Sequence, residues 1–310
     1  MAHVLVTGGA GFIASHLLDE LREHGHRVTT LDIRPMPVPA VGVAHVQLDF
    51  TDHAALGRAM SAVRPELVCH LGAIPSVQTS VLDAHASMTA NVAGTFSVLE
   101  ASRRAGVRRI LLASSAAVYG RTALERDGEA LGEDLPLQPL SPYALAKKHG
   151  EEMLRLWTSP IWDALDAVSL RFFNVFGPRQ RRDSAYATCI ERFLAQWREG
   201  QPFTIVPDGR QRRDMVFVSD VVRAVRLALE SPGPFGGEVF NIGGGRNYSI
   251  LEIADFIGGP SHPRTMIAPR AGEVRASLAD IERARARLGW APHVPFEEGI
   301  ERLKREGVPV

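Results

Sequence analysis

An α/β fold built on a doubly wound parallel sheet is predicted by this sequence, from three observations. Short apolar runs alternate with helical stretches through the first half. A glycine-rich turn joins the first such run to the first helical stretch. The chain has 310 residues, enough for one large core or for a main domain with a smaller second lobe.

The first strand is His3 to Val6, "HVLV". It runs into "TGGAGFIASHLLDEL", a glycine turn and a helical stretch, and then into "HRVTTLDIRP", a second strand. These pieces make one βαβ unit, which forces the two strands to run parallel. Strand-like runs follow at "HVQLD", "ELVCHL" and "RRILLASS", with "DHAALGRAMSAV" and "VLDAHASMTANVAGTFSVLEASRRAG" predicted as helices between them. Runs of this kind suit a parallel sheet covered on both faces. The sequence holds no internal repeat and no low-complexity tract.

Composition narrows the function classes. Lysine plus arginine equals aspartate plus glutamate at 35 each, so whole-molecule attraction to nucleic acid or an anionic membrane is not expected. Cys69 and Cys189 are the two cysteines and show no metal-ligand spacing. Neither a disulfide framework nor a zinc site is expected. The chain enters "HVLV" without a basic leader and apolar signal core. No apolar run reaches the roughly 20 residues that span a bilayer. The expectation is a soluble cytoplasmic protein.

Within the first unit, Gly8, Gly11 and Ala14 give the spacing G-x-x-G-x-x-A. Gly8 permits the tight turn, Gly11 lets a pyrophosphate approach the backbone, and Ala14 is small enough for helix-on-strand packing. Phe12 and Ile13 open the helix whose N–H groups and dipole would receive the phosphates. Asp32 ends the second strand roughly 20 residues on, where a carboxylate binds the adenosine ribose hydroxyls. That pattern predicts NAD; Arg34 keeps NADP open, because an arginine near this position can serve its 2′-phosphate. Asp49 and Phe50 end a strand near the expected adenine. Leu71 to Ala73 end another at the ligand-binding edge of such sheets. His70 beside them is read as a satisfied buried histidine.

The reacting centre is expected later. "LLASSAAVYG" ends a strand with Ser114 and Ser115, and "SPYALAKKHGEEMLRLW" opens a helix behind Pro142. Tyr143 and Lys147 stand at i and i+4 on one face of that helix. An ammonium beside a phenol stabilises the phenolate, so a tyrosine with an ordinary pKa near ~10 can serve as a base near neutrality.

"TGGAGFIASHL", "SSAAVYG", "SPYALAKK", "RFFNVFGPRQ", "GRQRRDMVFVSDVV", "VFNIGGG" and "PRAGEVRASLADIERARARLGWAP" occur in the order found in the NAD-dependent epimerase/dehydratase family. The chain resembles that family, the extended short-chain dehydrogenases acting on nucleotide-sugars, over nearly its whole length. The resemblance implies a Rossmann domain holding NAD and a smaller C-terminal α/β lobe holding the nucleotide-sugar. The boundaries expected are 1–173, with returns to the main sheet near 214–230 and 238–242, and 174–310. It further implies Tyr143 as base, Lys147 as its partner and nicotinamide-ribose ligand, and Ser115 on the reacting sugar hydroxyl. Asn174, Arg213 and Arg270 would bind the diphosphate. Glu273 takes the place of an aspartate that binds the uridine ribose.

Family members resembling this chain oxidise the sugar at C4. The 4,6-dehydratases then use an Asp-Glu pair just after the active-site hydroxyl, and the UDP-glucuronate decarboxylases a glutamate. This chain has Ala116 and Ala117 there, and methyl groups transfer no protons. Epimerisation remains. Within the family "GPRQRRD" most resembles the "GPRQRPD" of UDP-glucuronate 4-epimerases, in which the arginine matching Arg181 faces the sugar carboxylate. Guanidinium suits that anion by its fixed charge and forked donors. UDP-glucuronate is thus the expected substrate, with UDP-glucose or UDP-N-acetylglucosamine as alternatives. A phosphate-binding or solvated turn at Arg179, Arg181 and Arg182 is the plainer reading, and Arg210 and Arg212 are taken as surface charges. A catalytically silent NAD-binding protein is the rival from another class. Helices around Ala93 to Arg104 and Ala144 to Trp157 have apolar faces that in the family pair with a second subunit, so a homodimer is expected.

Overall fold

The computed structural model describes residues 1–37, 41–159, 161, 165–180, 189–206, 208–267 and 275–305. The chain opens with β1 (His3–Thr7), α1 (Phe12–Glu23), β2 (Arg27–Asp32), β3 (Ala44–Gln47), α2 (His53–Val63) and β4 (Leu67–His70). It continues with α3 (Val77–Leu82), α4 (Ala84–Met88), a π-helical turn (Thr89–Ala93), α5 (Gly94–Arg104) and β5 (Arg109–Ser115). A 3₁₀ turn (Ala116–Tyr119), α6 (Arg121–Glu125), α7 (Pro142–Trp157), β6 (Asp166–Phe172), β7 (Asn174–Phe176), α8 (Cys189–Arg198) and β8 (Phe203–Ile205) follow. The last elements are β9 (Arg212–Phe217), α9 (Val218–Glu230), β10 (Glu238–Ile242), β11 (Asn247–Ser249), α10 (Ile250–Gly258), β12 (Arg264–Met266), α11 (Glu282–Leu288) and α12 (Phe296–Arg305).

Two compact units result: Met1–Val118 with Ser141–Arg171 and Val222–Phe240, and Tyr119–Leu140 with Phe172–Val221 and Asn241–Val310. In the first, a seven-stranded sheet has the order β10-β6-β5-β4-β1-β2-β3. β1 pairs in parallel with β2 (His3 opposite Arg27) and β4 (Val4 opposite Leu67), and β4 pairs in parallel with β5 (Leu67 opposite Arg109). The strand order reverses between β1 and β4, the place where doubly wound sheets of the Rossmann type bind ligands. β1 is buried along its whole length, as a central parallel strand must be. Leu5, Val68, Ile110 and Leu112 from these strands meet Leu56 and Met60 of α2 and Val98 and Leu99 of α5 in one core cluster. On α1 the buried residues Ala14, Leu17, Leu18 and Leu21 follow helical spacing and turn one stripe inward.

The stretch predicted as one helix from "VLDAHASM" to "SRRAG" is broken into α3, α4, the π-helical turn and α5. Asp83 ends α3 and caps α4 by accepting from the Ala86 N–H, which stops a continuous helix there. α7 starts where "SPY" places it, with Ser141 accepting from the Ala144 N–H and Pro142 at the first turn.

In the second unit, β9 pairs antiparallel with β11 and parallel with β7. The segment "RDMVFV" therefore builds this three-stranded sheet and does not return to the large one. β10 lies at the edge of the large sheet, and Val222–Phe240, which carries most of α9, belongs to the first unit. Ser249 and Glu252 form a reciprocal capping box at α10. "DIERARARLGW" and "FEEGIERLKRE" carry the helices α11 and α12, each with one buried side. The Asp220 carboxylate accepts from the N–H groups of His293 and Val294, and the Trp290 indole donates to its carbonyl, which ties this C-terminal segment down.

Candidate active site

The glycine turn is as close-packed as its spacing suggests. Gly8 has φ +72°, and a Cβ there would lie 2.7 Å from the backbone nitrogen of Gly72. Its N–H donates to Leu31 at 2.8 Å, and the Gly11 N–H donates back to the Gly8 carbonyl at 3.0 Å. α1 begins after Gly11 without a side-chain cap, so its first turn, with Phe12 and Ile13, presents backbone N–H groups suited to a phosphate. A cradle that a single Cβ would fill, next to an uncapped helix start, fits a dinucleotide. At the end of β2, Asp32 accepts from the Ala10 N–H at 3.1 Å and from the Arg34 N–H at 2.9 Å. The Arg34 side chain also reaches the Asp32 carboxylate, at 3.4 Å, and the Ala10 carbonyl at 3.3 Å.

Asp49 turns its carboxylate onto Thr51, accepting from its N–H and its hydroxyl. Phe50 is buried, edge-on to His70 at 5.4 Å, and added Cβ atoms at Gly72 and Gly94 would strike its ring. His70 is the satisfied core histidine the sequence suggests: its ring nitrogens pair with Thr7 Oγ1 at 2.6 Å and Thr95 Oγ1 at 3.1 Å. Burial, helped by the Lys147 charge, pushes its pKa down to about 3. Thr7 Oγ1 accepts from the Gly72 N–H, and the Leu71 N–H donates to the Thr7 carbonyl. Leu71 and Gly72 are thereby fixed to β1. Just beyond, Asn91 in the π-helical turn accepts from the Ile74 N–H at 2.8 Å and donates to its carbonyl at 3.0 Å. Asn91 escapes the sequence reading, because one more polar side chain in a mixed helical run carries no distinguishing signal. π turns of this kind often mark functional sites.

Tyr143 and Lys147 share a face of α7, with the Lys147 ammonium 5.9 Å from the Tyr143 ring centre. Lys147 donates to the Ala113 carbonyl at 2.7 Å, which sets it beside the end of β5. Burial lowers its pKa to about 8, and the nearby Glu151 opposes that fall. Ser114 and Ser115, adjacent on β5, face different partners: Ser114 donates to Glu151 at 2.5 Å, while Ser115 accepts from the Ala117 N–H at 3.2 Å. Ala116 and Ala117 follow in the 3₁₀ turn and add no titratable group. This first unit thus holds the glycine turn, the Asp32 carboxylate at the end of β2 and the Tyr143–Lys147 pair on α7.

In the second unit, Asn174 and Arg213 lie on the neighbouring strands β7 and β9, and Asn174 donates to the Asp214 carbonyl at 3.0 Å. The Asp214 carboxylate accepts from the N–H groups of Gly245 at 3.1 Å, Ala279 at 2.9 Å and Gly244. Burial outweighs those donors and raises its pKa to about 7. Arg212 is more than a surface charge. It clamps Asn247 through two hydrogen bonds, at 2.8 and 2.9 Å, and pairs with Glu252 at 3.1 Å. Arg210 is exposed. Arg181, Arg182, Arg270 and Glu273 lie outside the described residues. Among the described residues, no group of three His, Cys, Asp or Glu side chains could hold a metal ion.

The signature of the NAD dependent epimerase/dehydratase family matches residues 4–243. The chain belongs to this family. Among its relatives is a UDP-glucose 4-epimerase of Mycolicibacterium smegmatis, 38% identical, with 96% of this chain and 95% of that protein covered. Among solved structures it is similar to the UDP-glucose 4-epimerase of Thermotoga maritima with UDP-glucose, at TM-score 0.88 and 34% identity, 96% of each chain covered. It is also similar to the UDP-glucuronic acid 4-epimerase of Bacillus cereus in complex with UDP-glucuronic acid and NAD, at TM-score 0.84 and 32% identity, 96% of each covered. The family's fold is the Rossmann type that the strand order displays.

Proposed function

We propose that the protein is an NAD-dependent UDP-sugar 4-epimerase whose favoured substrate is UDP-glucuronate, converted to UDP-galacturonate. The epimerase part rests on membership of the family, on relatives of this activity and on the Tyr143–Lys147 pair. The uronate part rests on the resemblance of "GPRQRRD" to the "GPRQRPD" of UDP-glucuronate 4-epimerases, in which the arginine matching Arg181 faces the sugar carboxylate, an anion that guanidinium suits. In this reading NAD is held by Gly8, Gly11, Phe12, Ile13, Asp32, Asp49, Phe50, Leu71, Ala73 and Ser114, and it supplies the acceptor and donor of hydride at C4. Tyr143 takes the proton of the sugar 4-hydroxyl while Lys147 steadies the phenolate, and Ser115 orients that hydroxyl. The 4-keto sugar then turns over, and Tyr143 returns the proton on reduction of the opposite face. Asn174, Arg213, Arg270 and Glu273 anchor the UDP moiety throughout.

A 4-keto-uronate is a β-keto acid and loses carbon dioxide when its carboxylate bond aligns with the ketone π system. Arg181 would hold it out of that alignment. Replacing Arg181 by Ala is expected to weaken turnover of UDP-glucuronate selectively; equal losses on UDP-glucose would sink the uronate assignment. The same reaction on UDP-glucose is the second reading, favoured by the Mycolicibacterium and Thermotoga relatives. A homodimer is proposed through α5 and α7, on which Phe96 (43%) and Leu156 (52%) stay exposed in the single chain. A cytoplasmic location is proposed as well, and among the described residues no helix is long and apolar enough to cross a membrane.

A further inference from the structure

A buried ion pair stands one helical turn beyond Lys147, and nothing in the reaction just described uses it. Glu151 follows Lys147 by four residues on α7, so both project from one face. Arg171, on β6, donates to the two Glu151 carboxylate oxygens at 2.9 and 2.7 Å. The side chains are only 3% and 2% exposed. Ser114 donates to the same carboxylate, and the next carbonyl back along β5, Ala113, receives the Lys147 ammonium. One strand end thus carries the donor to Glu151 and the acceptor of Lys147 on consecutive residues.

We infer that Glu151 and Arg171 are positioning residues for Lys147: their pairing sets the electrostatic balance in which the ammonium beside Tyr143 is kept. The inference rests on the proposed role of Tyr143 and Lys147. A buried pair is poor evidence for stability alone, because desolvation offsets much of its attraction. Its neighbourhood is what assigns it a task. Lys147 feels the Glu151 carboxylate, whose charge the Arg171 guanidinium balances at low dielectric, and loss of either partner leaves the other uncompensated beside the ammonium.

The remaining charged and titratable groups on the packed elements do not substitute for the pair. Burial and the Lys147 charge lower the His70 pKa to about 3, so its ring on β4 carries no charge near pH 7. His85 on α4 is exposed. Glu100 on α5 is engaged by Arg103 and Arg104, and Arg109 on β5 by Asp166. On α7 itself, Lys148 pairs with Glu152, the helix also carries His149 and Arg155, and Tyr143 is the group being served. α3 and the π-helical turn contain no ionisable side chain.

The chain has three lysines, Lys147, Lys148 and Lys304, so ε-carbon-labelled lysine gives a spectrum that K148R and K304R assign. The experiment follows the Lys147 signal against pH in the protein as purified. E151Q leaves the Arg171 charge facing Lys147 and is expected to move the titration midpoint down by roughly one pH unit. R171M leaves the carboxylate and is expected to move it up by a similar amount. The double variant, with the same net charge as the original cluster, returns near the starting midpoint, and R171K restores it. A midpoint unmoved by both single changes, or moved the same way by both, overturns the inference. Should one single variant fail to fold, the sign predicted for the other decides. The alkaline limb of epimerisation is measured on the same variants. Opposed shifts in the lysine signal without turnover of any UDP-sugar would leave the positioning role standing and remove the epimerase reading.

Discussion

Replacing Gly8 by alanine tests whether the glycine turn is as constrained as its geometry says. The residue has φ +72°, a left-handed conformation costing an L-side chain about 1–2 kcal/mol. The new Cβ would also lie 2.7 Å from the Gly72 nitrogen, 2.8 Å from its Cα and 3.0 Å from the Leu71 carbonyl carbon. All three are backbone atoms, which cannot swing aside as a side-chain tip would. Overpacking of this kind adds about 1–3 kcal/mol, so the sum is about 2–5 kcal/mol. Gly57, in the middle of α2, is the control, because a Cβ there meets nothing within 4 Å. Gly57→Ala is expected to be neutral or to stabilise by about 0.5–1 kcal/mol through helix propensity. Denaturant unfolding of both variants gives the stabilities, and the nicotinamide content of the purified proteins gives the functional consequence. Gly8→Ala should lose both stability and retained NAD, since the turn and Leu71 and Gly72 can separate only by opening the proposed cofactor cradle. A Gly8→Ala protein within about 0.5 kcal/mol of the parent, with its NAD retained, would refute the argument.

Two further outcomes follow from the α7 face. Tyr143→Phe keeps the ring and removes the phenol oxygen, so kcat should fall by about 10²–10⁴-fold while NAD remains bound; an active Phe variant would remove Tyr143 as the base. Lys147 has its pKa lowered to about 8, so the ammonium dominates below that pH and is lost above it. In the proposed mechanism the ammonium is the form that assists Tyr143, so activity should decline on the alkaline side with a midpoint near pH 8, and a rate that stays unchanged up to pH 10 would contradict that role.

Much of the first unit is legible in the sequence because its signals are local. A strand, a glycine turn and a helix in a row specify β1, Gly8 and α1, and "SPY" specifies both the start of α7 and the register of Tyr143. What escapes the reading depends on partners distant along the chain. The break in the helical run after Val77 is set by Asp83 and accompanied by Asn91 reaching back 17 residues to Ile74. The Glu151–Arg171 pair joins side chains 20 residues apart on a helix and a strand, with no sequence periodicity to reveal it. Arg212 reads as one more surface arginine until β11 is paired beside it. The segment after it is expected in the large sheet, and only pairing with β7 and β11 assigns it to the smaller one.

The central claim is tested most directly by incubating the purified protein, with no cofactor added, separately with UDP-glucuronate, UDP-glucose and UDP-N-acetylglucosamine. Products are resolved by proton NMR. Conversion of the uronate to its galacto epimer, with the neutral sugars turned over poorly or not at all, is the predicted result. Turnover of only a neutral sugar would contradict the substrate assignment and leave "GPRQRRD" as a phosphate-binding or surface turn.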